Sequence, residues 1–112
     1  MIARLWRGVA STQANADAYQ RHVTTSVFPS LAAIRGHRGA KVLRRDEAGR
    51  AEFLVMTLWD SMDAIREFAG DNPESAVVEP EARAVLSDYD HFVRHYEIAH
   101  DFKQQSGLTA GY

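Results

Sequence analysis

The 112-residue chain contains no cysteine. That excludes disulfides, thiolate nucleophiles and thiolate-ligated heme, and it fits a reducing compartment. It also lacks an excess of one charge. Thirteen Lys and Arg stand against 15 Asp and Glu, for a formal charge of -2, and no long block of like charge occurs. Such a balance gives no support to binding of nucleic acid or of an acidic membrane surface. No apolar run reaches the length of a membrane span or a signal-peptide core, so a cytoplasmic location is expected. Phosphate-cradling Gly-rich loops, dinucleotide fingerprints and metal-ligand spacings are all missing. Neither a metal nor a cofactor is expected.

What remains is enough for one small domain. The chain is 46% hydrophobic, which builds a core of modest size that gains from a partner. Residues 2–10 (IARLWRGVA) alternate as a strand. Tyr19, Val23, Val27, Leu31 and Ile34 then recur at helical spacing, with Pro29 inside the pattern predicting a kink or a restart and Gly36 a stop. Residues 38–46 and 51–60 read as two strands of an antiparallel hairpin joined through Gly49. Phe53, Val55, Thr57 and Trp59 share one face of the second strand, and Leu54, Met56 and Leu58 the other. Ser61 is a good N-cap for a helix carrying Met62, Ile65, Phe68 and Ala69 on one stripe, ending at Gly70. Asn72-Pro73 and Glu79-Pro80 predict one or two short helical pieces over 71–88. Residues 90–98 (DHFVRHYEI) alternate as a last strand.

The order β-α-β-β-α-β predicts an α+β, ferredoxin-like fold with a four-stranded antiparallel sheet covered by helices on one face. The domain is expected to span 1–98, with 99–112 as a C-terminal tail. Ile2, Trp6, Leu54, Met56 and Leu58 are assigned to the uncovered face. An apolar patch of that size predicts a homodimer in which sheet packs on sheet.

LWDSMDAIREF, together with IRGHRGAKVLRR and the closing HYEI, resembles the antibiotic biosynthesis monooxygenase superfamily of dimeric α/β-barrel proteins. The likeness spans about residues 2–98, and its most specific element is Trp59 with Ser61 two positions on and an aromatic at Phe68. It implies a pocket between sheet and helices, lined by Trp59. The activity implied is cofactor-independent oxygenation of phenols or anthrones, or heme degradation. The sequence departs from both patterns. Ala3 stands at the first-strand position where heme degraders carry Asn, SAVVEPEAR has no His, and Val55 stands where tailoring oxygenases often place Asn.

A cofactor-free oxygenase needs a dry aromatic pocket, a base, and a donor that stabilises the developing anion. Phe53, Val55, Thr57 and Trp59 are the expected wall, joined by Leu5, Phe68 and His37, with Arg7 as the anion stabiliser. Trp59 and Arg7 also have plain structural explanations, as core and as a solvated strand-end charge. His91 and His95 lie on one strand face roughly 13 Å apart, too far for one metal. His95 is the preferred general base because imidazole titrates near neutrality. His37, near a strand start, and His22, on the first helix, are within reach of a pocket mouth, with a plain surface role as the favoured alternative for each. Helix capping accounts for Ser61, which lacks the Gly-x-Ser-x-Gly surroundings of a nucleophile. The expected function is oxygenation of an aromatic or polycyclic phenolic small molecule. The alternatives are a non-catalytic dimeric small-ligand-binding or stress-associated protein of the same fold and, less favoured, heme binding.

Overall fold

Residues 1–104 are described by a computed structural model of the chain. Strand β1 (Ile2–Ala10) runs through the middle of the sheet, antiparallel to β3 (Arg50–Trp59), which in turn pairs with β2 (His37–Glu47). On the other edge of β1 lie two short strands, β4 (Asp88–Tyr89) and β5 (Arg94–Glu97). The resulting order, β2-β3-β1 followed by β4 and β5, is the ferredoxin-like arrangement expected from the sequence.

The hairpin turn is Ala48-Gly49, with φ of 53° and 79°. Positive φ at both central residues is the geometry whose twist matches paired strands. Gly49 adopts it without penalty, whereas Ala48 bears the steric cost of a Cβ.

The first helical stretch answers the question posed by Pro29. Helix α1 (Gln13–His22) does not break but passes through a π-helical turn (Val23–Val27) into α2 (Phe28–Leu31). Pro29 offers no N–H and crowds the carbonyl four residues back. The backbone responds one residue earlier, where Phe28 N–H bonds Val23 O, five residues back. Tyr19, Val23 and Leu31 all remain buried, so the apolar face survives the change of pitch.

Helix α3 (Met62–Ala69) starts as predicted: Ser61 Oγ accepts from Ala64 N at 3.2 Å. Of the short helices expected over 71–88, only α4 (Pro80–Val85) forms. The Asn72-Pro73 start is overridden because 73–76 is pinned in an irregular strap. Val93 N donates to Glu74 O (2.8 Å), Ala76 N to His91 O (2.9 Å), and Arg4 holds the carbonyls of Pro73 and Ser75. The last strand is split where the main chain leaves the ladder opposite Trp6, whose Nε1 donates to Asp90 O at 2.7 Å.

Register corrects the assignment of faces. Ile2 stands opposite Trp59, Arg4 opposite Thr57 and Trp6 opposite Val55. The even-numbered residues of β1 therefore share the helix-covered face with Thr57 and Trp59. Ile2 and Trp6 are not on the uncovered face as expected: Ile2 packs against the Trp59 cluster and Trp6 against the Tyr19 cluster. The uncovered face carries Leu54, Met56 and Leu58 as expected, joined by Leu43, Leu5 and Arg7, with Leu43 and Leu54 47% and 40% exposed. No helix among the described residues is long and apolar enough to cross a membrane. The predicted tail begins with residues 99–104, which lack regular structure, and 105–112 lie outside the described residues.

Candidate functional site

A cleft of about 70 Å³ opens between the sheet, the first helical stretch and the strap. The sheet supplies Arg4, Trp6, Val55 and Thr57, and the helices supply Tyr19, Val23, Leu31 and Phe68. Val77, Val78 and Val93 close it from the strap side, and His22 and Glu79 also border it. The lining is largely apolar. Trp6 can lie along its own strand because residue 8 is Gly: a Cβ there would come within 2.9 Å of the indole ring.

The one charged group set deep in this cleft is Arg4, only 4% exposed. Its Nη1 donates to Pro73 O at 2.5 Å and lies 3.0 Å from His95 Nε2, and its Nη2 donates to Ser75 O at 2.9 Å. Its Cζ sits 5.6 Å from the centre of the Phe68 ring. No carboxylate among the described residues pairs with it. A guanidinium has five N–H donors, so those three contacts leave two to spare. Desolvation lowers its pKa to about 10, against a smaller opposing pull from Glu74, and it remains a cation at neutral pH. A buried cation with no contacting carboxylate carries a desolvation cost that its bonds to neutral groups offset only in part, which favours an anion beside it.

The residues predicted from sequence divide into three groups. Val55, Thr57 and Phe68 line the cleft. Trp59 and Phe53 are fully buried beside it and do not border it. Trp59 Nε1 donates to Thr57 Oγ1 at 2.8 Å and the indole stacks on Phe68, with ring centres 5.8 Å apart. Trp59 therefore backs the wall, and Phe53 lies under Tyr19 at 4.8 Å. Leu5 and Arg7 are corrected by the strand register to the opposite face, where Arg7 Nε pairs with Glu52 at 2.5 Å. Ala3 is on that face too, so the first-strand position facing the cleft is Arg4. Reversing the assumed parity of β1 would have found it.

The histidines are redistributed as well. His37 meets the edge of Trp59, with ring centres 5.0 Å apart, and does not border the cleft. Burial lowers its pKa, partly opposed by a hydrogen bond with the Gly39 backbone. His95 lies behind Arg4, and its pKa is lowered by burial and then by the Arg4 charge. A neutral ring accepting from Arg4 at Nε2 fits both facts, and it commits the lone pair that a base would need. Tyr19 borders the cleft with its phenol pKa pushed well above the ordinary value by burial, so it stays protonated.

Several solved structures share this architecture. A Bacillus cereus protein provisionally named an antibiotic biosynthesis monooxygenase superimposes with a TM-score of 0.62 at 14% identity, covering 94% of this chain and 97% of its own. MhuD, the heme-degrader of Mycobacterium tuberculosis, solved with two hemes in its active site, gives 0.62 at 14% identity over 92% of this chain and all of its own. At such identities the likeness establishes the fold. No curated protein matches the sequence. The family model for antibiotic biosynthesis monooxygenases matches residues 11–79, more than half of the 112 residues. The chain belongs to the antibiotic biosynthesis monooxygenase family.

Proposed function

We propose that this protein is a cofactor-independent monooxygenase acting on a small aromatic phenol or enol, with Arg4 as the anion-stabilising group. The observation that carries this reading is the buried, carboxylate-free guanidinium facing an apolar cleft. A phenol entering such a site ionises more readily beside the cation than in water. Its proton leaves to solvent as it binds, and the two spare Arg4 donors hold the oxyanion. The anion passes one electron to dioxygen, the resulting radical and superoxide combine into a carbon–oxygen bond, and the peroxide takes a proton back from solvent to give a hydroperoxide on a carbon that still bears a hydrogen. Loss of water then leaves a carbonyl, so one oxygen atom enters the product and the other departs as water. The apolar walls keep bulk water from the radical pair.

The closed cleft holds about 70 Å³, whereas small-molecule pockets run from roughly 300 Å³ upward. Entry of a ring system therefore requires the strap to move. Arg4 links the two events, because the guanidinium that would hold the oxyanion is also tied to the strap through the carbonyls of Pro73 and Ser75. His95 serves as a positioning residue for Arg4, rather than as the base expected from sequence.

Heme degradation is a second reading, motivated by the fold shared with MhuD. The closed cleft does not fit a heme, and the only imidazole bordering it among the described residues is His22. A non-catalytic binding protein would keep the cleft and lack the reaction. We further propose that the uncovered sheet face, with Leu43, Leu54, Met56 and Leu58, forms a homodimer interface.

Oxygen uptake with an anthrone or hydroquinone tests the main reading. Uptake above the buffer rate, reduced at least about tenfold in Arg4→Met, is expected. No uptake with any substrate that binds would leave the binding-protein reading in its place.

A further inference from the structure

We propose that His22, Glu79 and Glu81 form a binding site for a divalent transition-metal ion at the edge of the cleft. His22 ends α1, while Glu79 stands at the residue preceding α4 and Glu81 lies in its first turn. One ligand atom from each comes within 4.8 Å of the others, and His22 Nε2 is 3.5 Å from a Glu79 oxygen. Apart from that His22–Glu79 contact, no ion pair or side-chain hydrogen bond among the described residues involves these groups. His22 Nε2 is buried with no hydrogen-bond partner among the described residues. The Glu79 side chain makes no capping bond to α4.

The donor set suits the ion. A neutral imidazole with two carboxylates balances a 2+ charge, and nitrogen with carboxylate oxygen is a mixture that zinc, manganese and ferrous iron accept. Metal–ligand bonds of about 2.0–2.2 Å require donor atoms roughly 3–4 Å apart. Glu79 is half exposed and Glu81 exposed, so both can rotate inward, while the His22 ring is held with 13% of its side chain exposed. Because His22 and Glu79 border the cleft, the ion would stand within reach of a ligand inside it. It would also tie α4 and the end of the strap to α1, favouring the closed form.

This proposal does not rest on the oxygenase reading, since binding is measured without substrate. Zinc titrated calorimetrically into chelator-treated full-length protein at neutral pH is expected to show one ion per chain. Glu81→Gln, an exposed change that leaves the fold intact, is expected to weaken it at least about tenfold, and His22→Ala to abolish it. Zinc should raise the melting temperature of the parent protein and not that of Glu81→Gln. Absence of binding up to millimolar zinc and manganese would overturn the proposal. So would binding that both variants leave unchanged, which would place the ion on other histidines.

Discussion

Arg4 illustrates what single residues contribute. In a strand the side-chain period is two, so an error of one position moves every residue to the wrong face. The sequence shows apolar residues at both parities of β1, which hid the choice between Arg4 and Arg7. The decisive fact was Ile2 pairing with Trp59, a long-range register that local pattern does not contain. Replacing Arg4 by Met should remove the anion site and leave the Pro73 and Ser75 carbonyls without their donors. Leaving such groups unpaired costs about 1–3 kcal/mol, measurable by urea denaturation. Trp59→Phe should instead lower stability by about 1–2 kcal/mol through its lost bond to Thr57 and reduced packing. Because Trp59 does not border the cleft, oxygen uptake per folded molecule should stay within about twofold.

The pH dependence also belongs to individual residues. His37 and His95 have folded-state pKa values below the ordinary 6.5. Below that value the unfolded chain binds more protons than the folded one, so stability falls with falling pH. It is complete above about pH 6.5 and declines toward the depressed folded values. Melting temperatures between pH 7.5 and 5 should fall for the parent protein and fall less for His95→Gln. An unchanged slope would remove His95 from the account.

Among the elements, those with strong local signals were legible. β1, the hairpin, the Ser61 cap and α3 follow from alternation, turn chemistry and capping. The failures lie at 71–79 and at the last strand. There, Asn72-Pro73 is a good helix start locally, but it yields only a single turn, closed by Ser75 N donating to Asn72 O, because tertiary bonds from Arg4, His91 and Val93 hold the following backbone out of a helix. The strap has few backbone bonds of its own, so its amides should exchange with solvent much faster than those of β1 and β3. Equal protection of the strap and the central strands would contradict its role as the moving part. In the hairpin, Ala48 at φ 53° is a residue better replaced by Asn. Ala48→Asn should stabilise the protein by about 0.5–1 kcal/mol in denaturant melts.

For the whole molecule, the helices cover one face of the sheet and leave the other uncovered, with Leu43, Leu54, Met56 and Leu58 beside the Arg7–Glu52 pair. The presence of such a face was readable from the two-sided strand 51–60, which also identified Leu54, Met56 and Leu58 as its members, whereas the contribution of β1 was not. Leu54→Glu would place a charge in the centre of that face. Sedimentation at micromolar concentration should show a dimer for the parent protein and a monomer for this variant; a parent monomer would refute the interface. The cleft itself was legible only in part. Val55, Thr57 and Phe68 were found because they follow the period of β3 and α3. Arg4, Trp6 and His22 meet them only through the packing of distant segments. The central claim is that this cleft binds an aromatic oxyanion on Arg4, and it is tested most directly by titrating a chromophoric phenol bound to the protein. The bound phenol should ionise at lower pH than the free one, and Arg4→Met should abolish that shift. A phenol that binds with unchanged ionisation, or equally well to the variant, would contradict it.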